Sequence, residues 1–144
     1  MSELIKQTLP DGRLQLRAGA GSFTFQRLCR GALLITIDGN DTGQFGTAAL
    51  DEIRLECLRH GPLDLLIDAH GAALVSTQVS QEWTRFFSDN RQQLRRVSVL
   101  TGSKLVNLAV AIARHLSHTG KLIQIYSDSE LFAQRREAAG GRSR

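Results

Sequence analysis

The stretch VSVLTGSKLVNLAVAIARHLSHTGKLIQIY, residues 97–126, decides the fold of this chain. Residues 97–100 and 122–126 are short apolar runs typical of buried strands. Between them, five apolar residues recur at the spacing of one helix face, which we expect to face the core: Leu105, Leu108, Ala109, Ile112 and Leu116. Thr119-Gly120 then ends the helix. A strand, a helix and a second strand in this order predict parallel strands joined by a right-handed crossover.

The same alternation continues on both sides of this stretch. Apolar runs predict buried strands over residues 33–37 and 63–67. Apolar residues at helical spacing predict helices over residues 43–59 and 79–87. Ser127-Asp128-Ser129-Glu130 has the spacing of a capping box and opens a further short helix.

The N-terminal part of the chain has a different pattern. Turn signals at residues 10–12 and 19–21 separate short alternating stretches, which predicts antiparallel strands. The predicted fold class is therefore α/β, with a single mixed, largely parallel sheet, an N-terminal antiparallel portion and about four helices. We expect one domain over residues 1–137, with residues 1–31 as an N-terminal β extension and residues 138–144 as a flexible basic tail.

The charge distribution argues against a nucleic-acid partner. The formal net charge is +4, but residues 1–30 carry five basic and two acidic groups, and residues 135–144 carry four and one. Residues 31–134 hold nine basic and eleven acidic groups, so the body of the domain is close to neutral. A nucleic-acid surface usually needs a concentrated stripe of Lys and Arg, and we see none here.

Several features favour a reducing, cytoplasmic compartment. No apolar run approaches the ~20 residues of a membrane span, and the N-terminus has no secretory-signal pattern. Cys29 and Cys57 lie in apolar stretches and have neither metal-binding nor redox spacing. We therefore expect a cytoplasmic protein without a membrane span.

Polar residues follow the predicted parallel strands, where open α/β sheets usually bind ligands. Five of them are candidates for a ligand or anion rim: Asp38, Asp68, His70, Ser103 and Lys104. Thr101-Gly102-Ser103-Lys104 is only a fragment of a phosphate loop, because the earlier glycine is missing. The alternative is that these residues cap helices and close turns.

The sequence shows no assembled catalytic or metal-binding constellation. An enzyme that used Asp38, Asp68 and His70 would need them within hydrogen-bond reach of one another. His115 and His118 are three residues apart, but no third metal ligand is evident nearby. We therefore expect no catalysis, no metal and no cofactor.

The helix after residue 104 is apolar over an unusually wide arc. Val106, Val110 and Ala113 widen that arc to about 200°, where a surface helix needs only ~100°. A neighbouring element or another molecule must cover the additional strip. We predict either a central helix within the domain or a partner interface that includes these three residues, with a second copy of the chain as one such partner.

The order of elements resembles the STAS superfamily, and more narrowly its SpoIIAA-like branch, whose founding members are anti-sigma-factor antagonists. The resemblance covers roughly residues 33–137. It rests on the strand and loop after residue 65, the segment Val75-Ser76-Thr77-Gln78-Val79, and the later stretches at residues 83–87, 96–100 and 123–132.

That family carries a phosphorylatable Ser or Thr at the start of the helix after this strand. The resemblance therefore implies a phospho-switch at Ser76 or Thr77. Val75 stands where the family normally has Asp, and Gln78 stands where it has Ser-Gly. The alternative is that both hydroxyl residues only cap the helix.

The sequence thus predicts a non-catalytic regulatory or scaffolding module that acts by protein–protein interaction. The second hypothesis, from another class, is a carrier of a small ligand such as a lipid or a nucleotide. Trp83, Phe86 and Phe87 could line its apolar cavity, or they are simply core residues.

Overall fold

The computed structural model describes residues 3–141 and shows one seven-stranded sheet whose strands follow one another in sequence order. The strands are β1 (Ile5–Thr8), β2 (Leu14–Ala18), β3 (Gly21–Cys29), β4 (Ala32–Asp41), β5 (Leu63–Val75), β6 (Leu94–Thr101) and β7 (Ile123–Tyr126). The helices are α1 (Ala48–His60), α2 (Thr77–Asp89), α3 (Lys104–Leu116) and α4 (Ser129–Gly141), with a 3-10 turn at Arg91–Gln93.

The sheet is mixed, as the sequence predicts. Strands β1 to β4 pair antiparallel, and β4 to β7 pair parallel with a helix in each crossover. The predicted α/β fold class is confirmed. Sequence patterning missed β1, because Ile5–Thr8 is exposed along its whole length and has no buried face to give an alternating pattern.

Alternating residues of the strands build a hydrophobic core on each face of the sheet. On the front face, Ile53 of α1, Phe86 of α2 and Val106 of α3 belong to one buried cluster with residues of β2 to β7. On the back face, a smaller cluster joins Phe132 and Ala139 of α4 to residues of β4, β5 and β6. Three helices therefore cover the front of the sheet, and α4 covers the back.

A buried ion pair also holds α4 against the back of the sheet. The Arg135 guanidinium donates to a carboxylate oxygen of Asp64 on β5, and both side chains are buried. The second carboxylate oxygen of Asp64 and two guanidinium nitrogens of Arg135 have no partner within residues 3–141. Unsatisfied buried charges are costly, so this contact fixes the position of α4 at some cost in free energy.

The C-terminal boundary of the predicted domain needs correction. The expected tail began at residue 138, but α4 continues to Gly141 and Ala139 is buried in the back core. The burial of Ala139 holds this last turn of the helix against the sheet. Residues 142–144, the rest of the expected tail, lie outside the described residues. Within residues 3–141, the helices are all too short or too polar to cross a membrane.

Strands β4 and β5 are longer than predicted, which corrects the position of three candidate rim residues. Asp38 lies within β4, and Asp68 and His70 lie within β5, although we expected them in loops at the strand ends. The two strands stay paired as far as Asp41 and Val75 through two register irregularities. Sequence alternation fails there because each irregularity adds a residue to one strand and shifts its apolar pattern.

The side of α3 that faces the core was also predicted wrongly. Val106 and Ala113 are 3% exposed, and Val110 packs against the same core, so these three residues are not available as a partner interface. Four large side chains of the same helix are instead 47–67% exposed: Leu105, Leu108, Ile112 and Leu116. We call these four residues the α3 stripe. The smaller Val and Ala side chains face inward, where they let the helix approach the sheet closely.

Candidate functional site

The N-terminus of α2 carries the two hydroxyl residues of the expected phospho-switch. The Ser76 hydroxyl accepts a hydrogen bond from the backbone N–H of Val79 at 3.2 Å, and the Ser76 N–H donates to the Asp41 carbonyl at 3.0 Å. Ser76 is therefore the N-cap of α2. Thr77 is the first residue of the helix and is exposed, so its hydroxyl is open to solvent.

The predicted rim residues fall into two groups. His70, Ser103 and Lys104 line one open groove of about 630 Å³ beside the start of α3. The Ser103 hydroxyl accepts from the Val106 N–H at 3.1 Å and caps the helix. Asp38 and Asp68 do not line this groove.

The two acidic rim residues have local structural contacts. The Asp68 carboxylate accepts from the backbone N–H of His70 at 3.1 Å. The Asp38 carboxylate lies directly over Gly71, where any side chain would collide with it. Among residues 3–141, no hydrogen bond between side chains and no ion pair joins Asp38, Asp68 and His70. The arrangement does not bring these three groups together as an acid–base set.

An apolar cavity of about 70 Å³ lies between the front of the sheet, α2 and α3. Trp83 and Phe87 line it, and Trp83 stacks on Phe23 with ring centroids 6.5 Å apart. Phe86 is buried in the core and does not line the cavity. Binding sites for drug-sized ligands have volumes of roughly 300–1,000 Å³. The cavity is therefore far too small for a lipid or a nucleotide.

Asp41 is an acidic group in the wall of this apolar cavity. Burial raises the pKa of its carboxyl above the ordinary value, and the nearby charge of Glu82 raises it further. The backbone N–H of Gly43 donates to the carboxylate at 3.1 Å and opposes this rise in pKa. The neutral form of Asp41 is thus favoured relative to a carboxyl in water.

The α3 stripe is the most prominent apolar feature of the surface. Its residues lie on one side of the helix, and α3 itself contains Lys104, Arg114 and His115 but no Asp or Glu. Beyond the C-terminal end of the helix lies an open groove of about 630 Å³. We call it the basic groove, after the basic side chains that line it: Arg91, Arg114, His115, His118 and Lys121.

The two histidines of the basic groove do not form a metal site. Helix α3 ends at Leu116, and His118 follows in a left-handed conformation with φ of 58°, so His115 and His118 do not share a helix face. In the part of the chain that the structure describes, no group of three His, Cys, Asp or Glu residues could hold a metal ion.

Sequence reasoning found the apolar width of α3 but missed the α3 stripe as a surface. From the helical wheel, it placed Leu105, Leu108, Ala109, Ile112 and Leu116 on the core side. The available signal was size, since Val and Ala suit the closely packed side of a helix on a sheet. The basic groove had no local signal, because its residues come from the 3-10 turn after α2, the end of α3 and the following loop.

Comparison with known proteins identifies the fold. No family model and no curated protein sequence matches the chain. An anti-sigma factor antagonist from Mycobacterium paratuberculosis superposes with a TM-score of 0.57 and 11% identity, over 91% of this chain and 99% of that one. An uncharacterized DUF3478-family protein with a SpoIIAA-like fold, from Shewanella loihica PV-4, gives a TM-score of 0.54 and 14% identity, over 81% and 93% of the two chains.

A further solved structure, the anti-sigma factor antagonist SpoIIAA in its unphosphorylated form, is similar to the same extent. Its TM-score is 0.52 and its identity 14%, over 79% of this chain and 96% of that one. At such low identity the likeness concerns the fold, and it agrees with the strand order and helix placement described above. The chain is thus an α/β domain with a SpoIIAA-like fold.

Proposed function

We propose that this chain is a cytoplasmic, non-catalytic regulatory or scaffolding module that acts by binding a protein partner. The observation that carries this proposal is the exposure of the α3 stripe. Two of the structural neighbours are named as anti-sigma factor antagonists, which supports a role of the same general class.

The geometry of the α3 stripe suits a protein partner. Single exposed apolar residues are common. Four large ones at a spacing of three or four residues lie side by side along one face of a helix and form a continuous apolar surface. From Leu105 to Leu116 this surface extends over roughly 17 Å at 1.5 Å per residue. An extended apolar row of this kind is typical of a surface that packs against another helix or enters a groove.

The test is partner capture with matched variants of the chain. Leu108→Glu/Ile112→Glu places two charges in the middle of the α3 stripe. Leu58→Glu is the control, because Leu58 lies on α1 and is 83% exposed outside the stripe. We expect the wild type and the control to retain the same bound protein and the double variant to lose it. Equal capture by all three proteins would contradict the proposal.

A stability measurement separates loss of binding from loss of the fold. Substitutions at exposed positions usually change stability by no more than ~0.5 kcal/mol. We therefore expect all three proteins to show the same circular dichroism spectrum and closely similar unfolding transitions.

We also propose that Thr77, rather than Ser76, is the hydroxyl that a kinase would modify. Support comes from their different contacts, since the Ser76 hydroxyl is engaged as the N-cap and Thr77 is exposed. Phosphate is electrostatically favourable at a helix N-terminus, so modification of Thr77 would not disrupt α2. Phosphopeptide mapping of the protein from its native cells tests this, and phosphate on Ser76 alone would contradict it.

The alternative function, a small-ligand carrier, has less support. The aromatic residues of α2 belong mainly to the core, and the cavity beside them is about 70 Å³. Nothing in the geometry of residues 3–141 favours a lipid or nucleotide site over a protein-binding surface.

A further inference from the structure

We propose that the α3 stripe and the basic groove together bind an acidic amphipathic helix of the partner protein. This inference rests on the proposed function and adds the chemistry of the partner. It predicts apolar residues on one face of the partner helix, against the stripe, and Asp or Glu residues beside them, against the cations of this chain.

Cations without an ion-pair partner among residues 3–141 lie at both ends of α3. Lys104 lies at its N-terminal end, and Arg114 lies at its C-terminal end. Arg91 and Lys121 extend the positive charge into the basic groove. None of these side chains forms an ion pair with any residue between 3 and 141.

The ion pairs of the front face lie at α1 and do not involve α3. Glu56 of α1 pairs with Arg27 and Arg59, and Asp51 pairs with Arg54. Among residues 3–141 the cations of α3 have no ion-pair partner, so an acidic partner helix would supply complementary charge.

A second copy of this chain fits the surface less well as the occupant. In an antiparallel pair of α3 helices, the Lys104 end of one copy would lie beside the basic groove of the other. In a parallel pair, each cation would face its own counterpart. Because α3 has no acidic residue, both arrangements place like charges together, which disfavours self-association.

An anionic membrane also fits this surface less well than a partner helix does. Helices that lie in the membrane interface combine an apolar face, often with Trp or Phe, and a broad basic face. The α3 stripe has only aliphatic side chains, and the face opposite it is buried against the sheet and is not a basic surface. A linear acidic helix fits this narrow arrangement better.

The experiment uses fluorescent peptides of about 18 residues, or five helical turns. One peptide carries leucines on one helical face and glutamates on the other, and the matched peptide has lysine in place of every glutamate. We expect the full chain to bind the acidic peptide about tenfold more tightly in low salt, a difference of ~1.4 kcal/mol. The preference should shrink in high salt.

Two test variants and one control connect the binding to the structure. Leu108→Glu should abolish binding of the acidic peptide, and Leu58→Glu should leave it unchanged. Lys104→Glu/Lys121→Glu changes two exposed cations and no apolar side chain, so it should reduce or reverse the preference for the acidic peptide.

The outcomes separate this inference from the proposed function. Equal binding of both peptides, lost in Leu108→Glu, would overturn the acidic partner and leave the protein-binding role intact. Failure of both peptides to bind would count against both proposals. Binding to phosphatidylserine vesicles without any peptide preference would replace the partner helix by a membrane. Dimers of the purified wild type that dissociate in Leu108→Glu would make a second copy the occupant.

Discussion

Val106 and Leu108 lie two positions apart on α3, yet one side chain is buried and the other is exposed. A glutamate at position 106 would place an unpaired charge in the front core, whereas a glutamate at position 108 would point into water. We expect Val106→Glu to cost more than about 3 kcal/mol of unfolding free energy or to prevent folding, and Leu108→Glu to cost at most ~0.5 kcal/mol. Urea unfolding of the two variants measures the difference. Similar losses would mean that α3 is rotated from the orientation described.

Asp41 gives a pH-dependent prediction at the same scale. Because burial raises its pKa in the folded protein, the proton is held more tightly there than in the unfolded chain, where the ordinary value is 3.8. The stability contribution of protonated Asp41 is therefore complete below that value and is lost as the pH rises through the folded pKa.

The variant Asp41→Asn cannot ionise and keeps an oxygen that can accept from the Gly43 N–H. We expect it to be more stable than the wild type at neutral pH, and we expect this advantage to shrink as the pH falls through the folded pKa of Asp41 and to vanish below the ordinary value of 3.8. Urea midpoints at neutral pH and at a pH below 3.8 test the prediction. An advantage of the same size at both would show that the carboxylate charge is not its cause.

At the scale of one element, the start of α2 depends on Ser76. Removing a capping hydroxyl typically costs about 1 kcal/mol, and aspartate serves as well as serine at an N-cap. We expect Ser76→Ala to lose about that much stability, Ser76→Asp to retain it, and Thr77→Ala to lose less than ~0.5 kcal/mol. Thermal unfolding of the three variants checks this order. A larger loss of stability for Thr77→Ala than for Ser76→Ala would show that Ser76 is not the capping residue.

The attachment of α4 gives a second prediction for an element. Arg135→Met would leave the Asp64 carboxylate without its partner beneath α4. Removing one partner of a buried ion pair typically costs about 3–5 kcal/mol of unfolding free energy, and we expect a loss of that order. The double variant Asp64→Val/Arg135→Met removes both charges and should recover most of the loss, because apolar replacements of a buried pair are often neutral or stabilising. Urea unfolding measures both. A double variant that is no more stable than Arg135→Met would show that the two charges do not stabilise each other.

The elements also show how far the sequence allowed prediction. Helical spacing and short apolar runs located α2, α3, β6 and β7 well, because each has a long or strongly patterned apolar face. Strand β5 was predicted only as far as residue 67, since the register irregularities opposite Thr36 and Gly39 break the two-residue period. Local patterns contain no information about such irregularities, which depend on the neighbouring strand.

The candidate site illustrates the same limit. The resemblance located Ser76 at the start of α2, but whether Val106 or Leu108 faces the sheet is decided by how α2, α3 and β5 pack together. Likewise, the basic groove brings together Arg91 and Lys121, which are far apart in the sequence. Exposure and proximity of this kind are tertiary properties, and they could not be derived from the spacing of residues along one helix.

At the scale of the whole molecule, the tight packing of the front core predicts that the protein purifies without a bound small ligand. A cavity of about 70 Å³ is smaller than a quarter of the ~300 Å³ at the lower end of ligand sites. We therefore expect a native mass spectrum to show the polypeptide without a bound lipid or nucleotide. An adduct of lipid or nucleotide mass that survives purification would revive the carrier hypothesis.

The placement of α4 has a consequence for folding during synthesis. Every strand pairs with the strand before it in the chain, so the sheet can grow by addition at one edge as the ribosome releases each segment. The front core can form along with the crossover helices. The back of the sheet, with Leu34, Leu66 and Leu100, stays uncovered until α4 emerges after the seventh strand. During that interval the nascent chain exposes an apolar sheet face, and this is the stage at which a chaperone would protect it from aggregation.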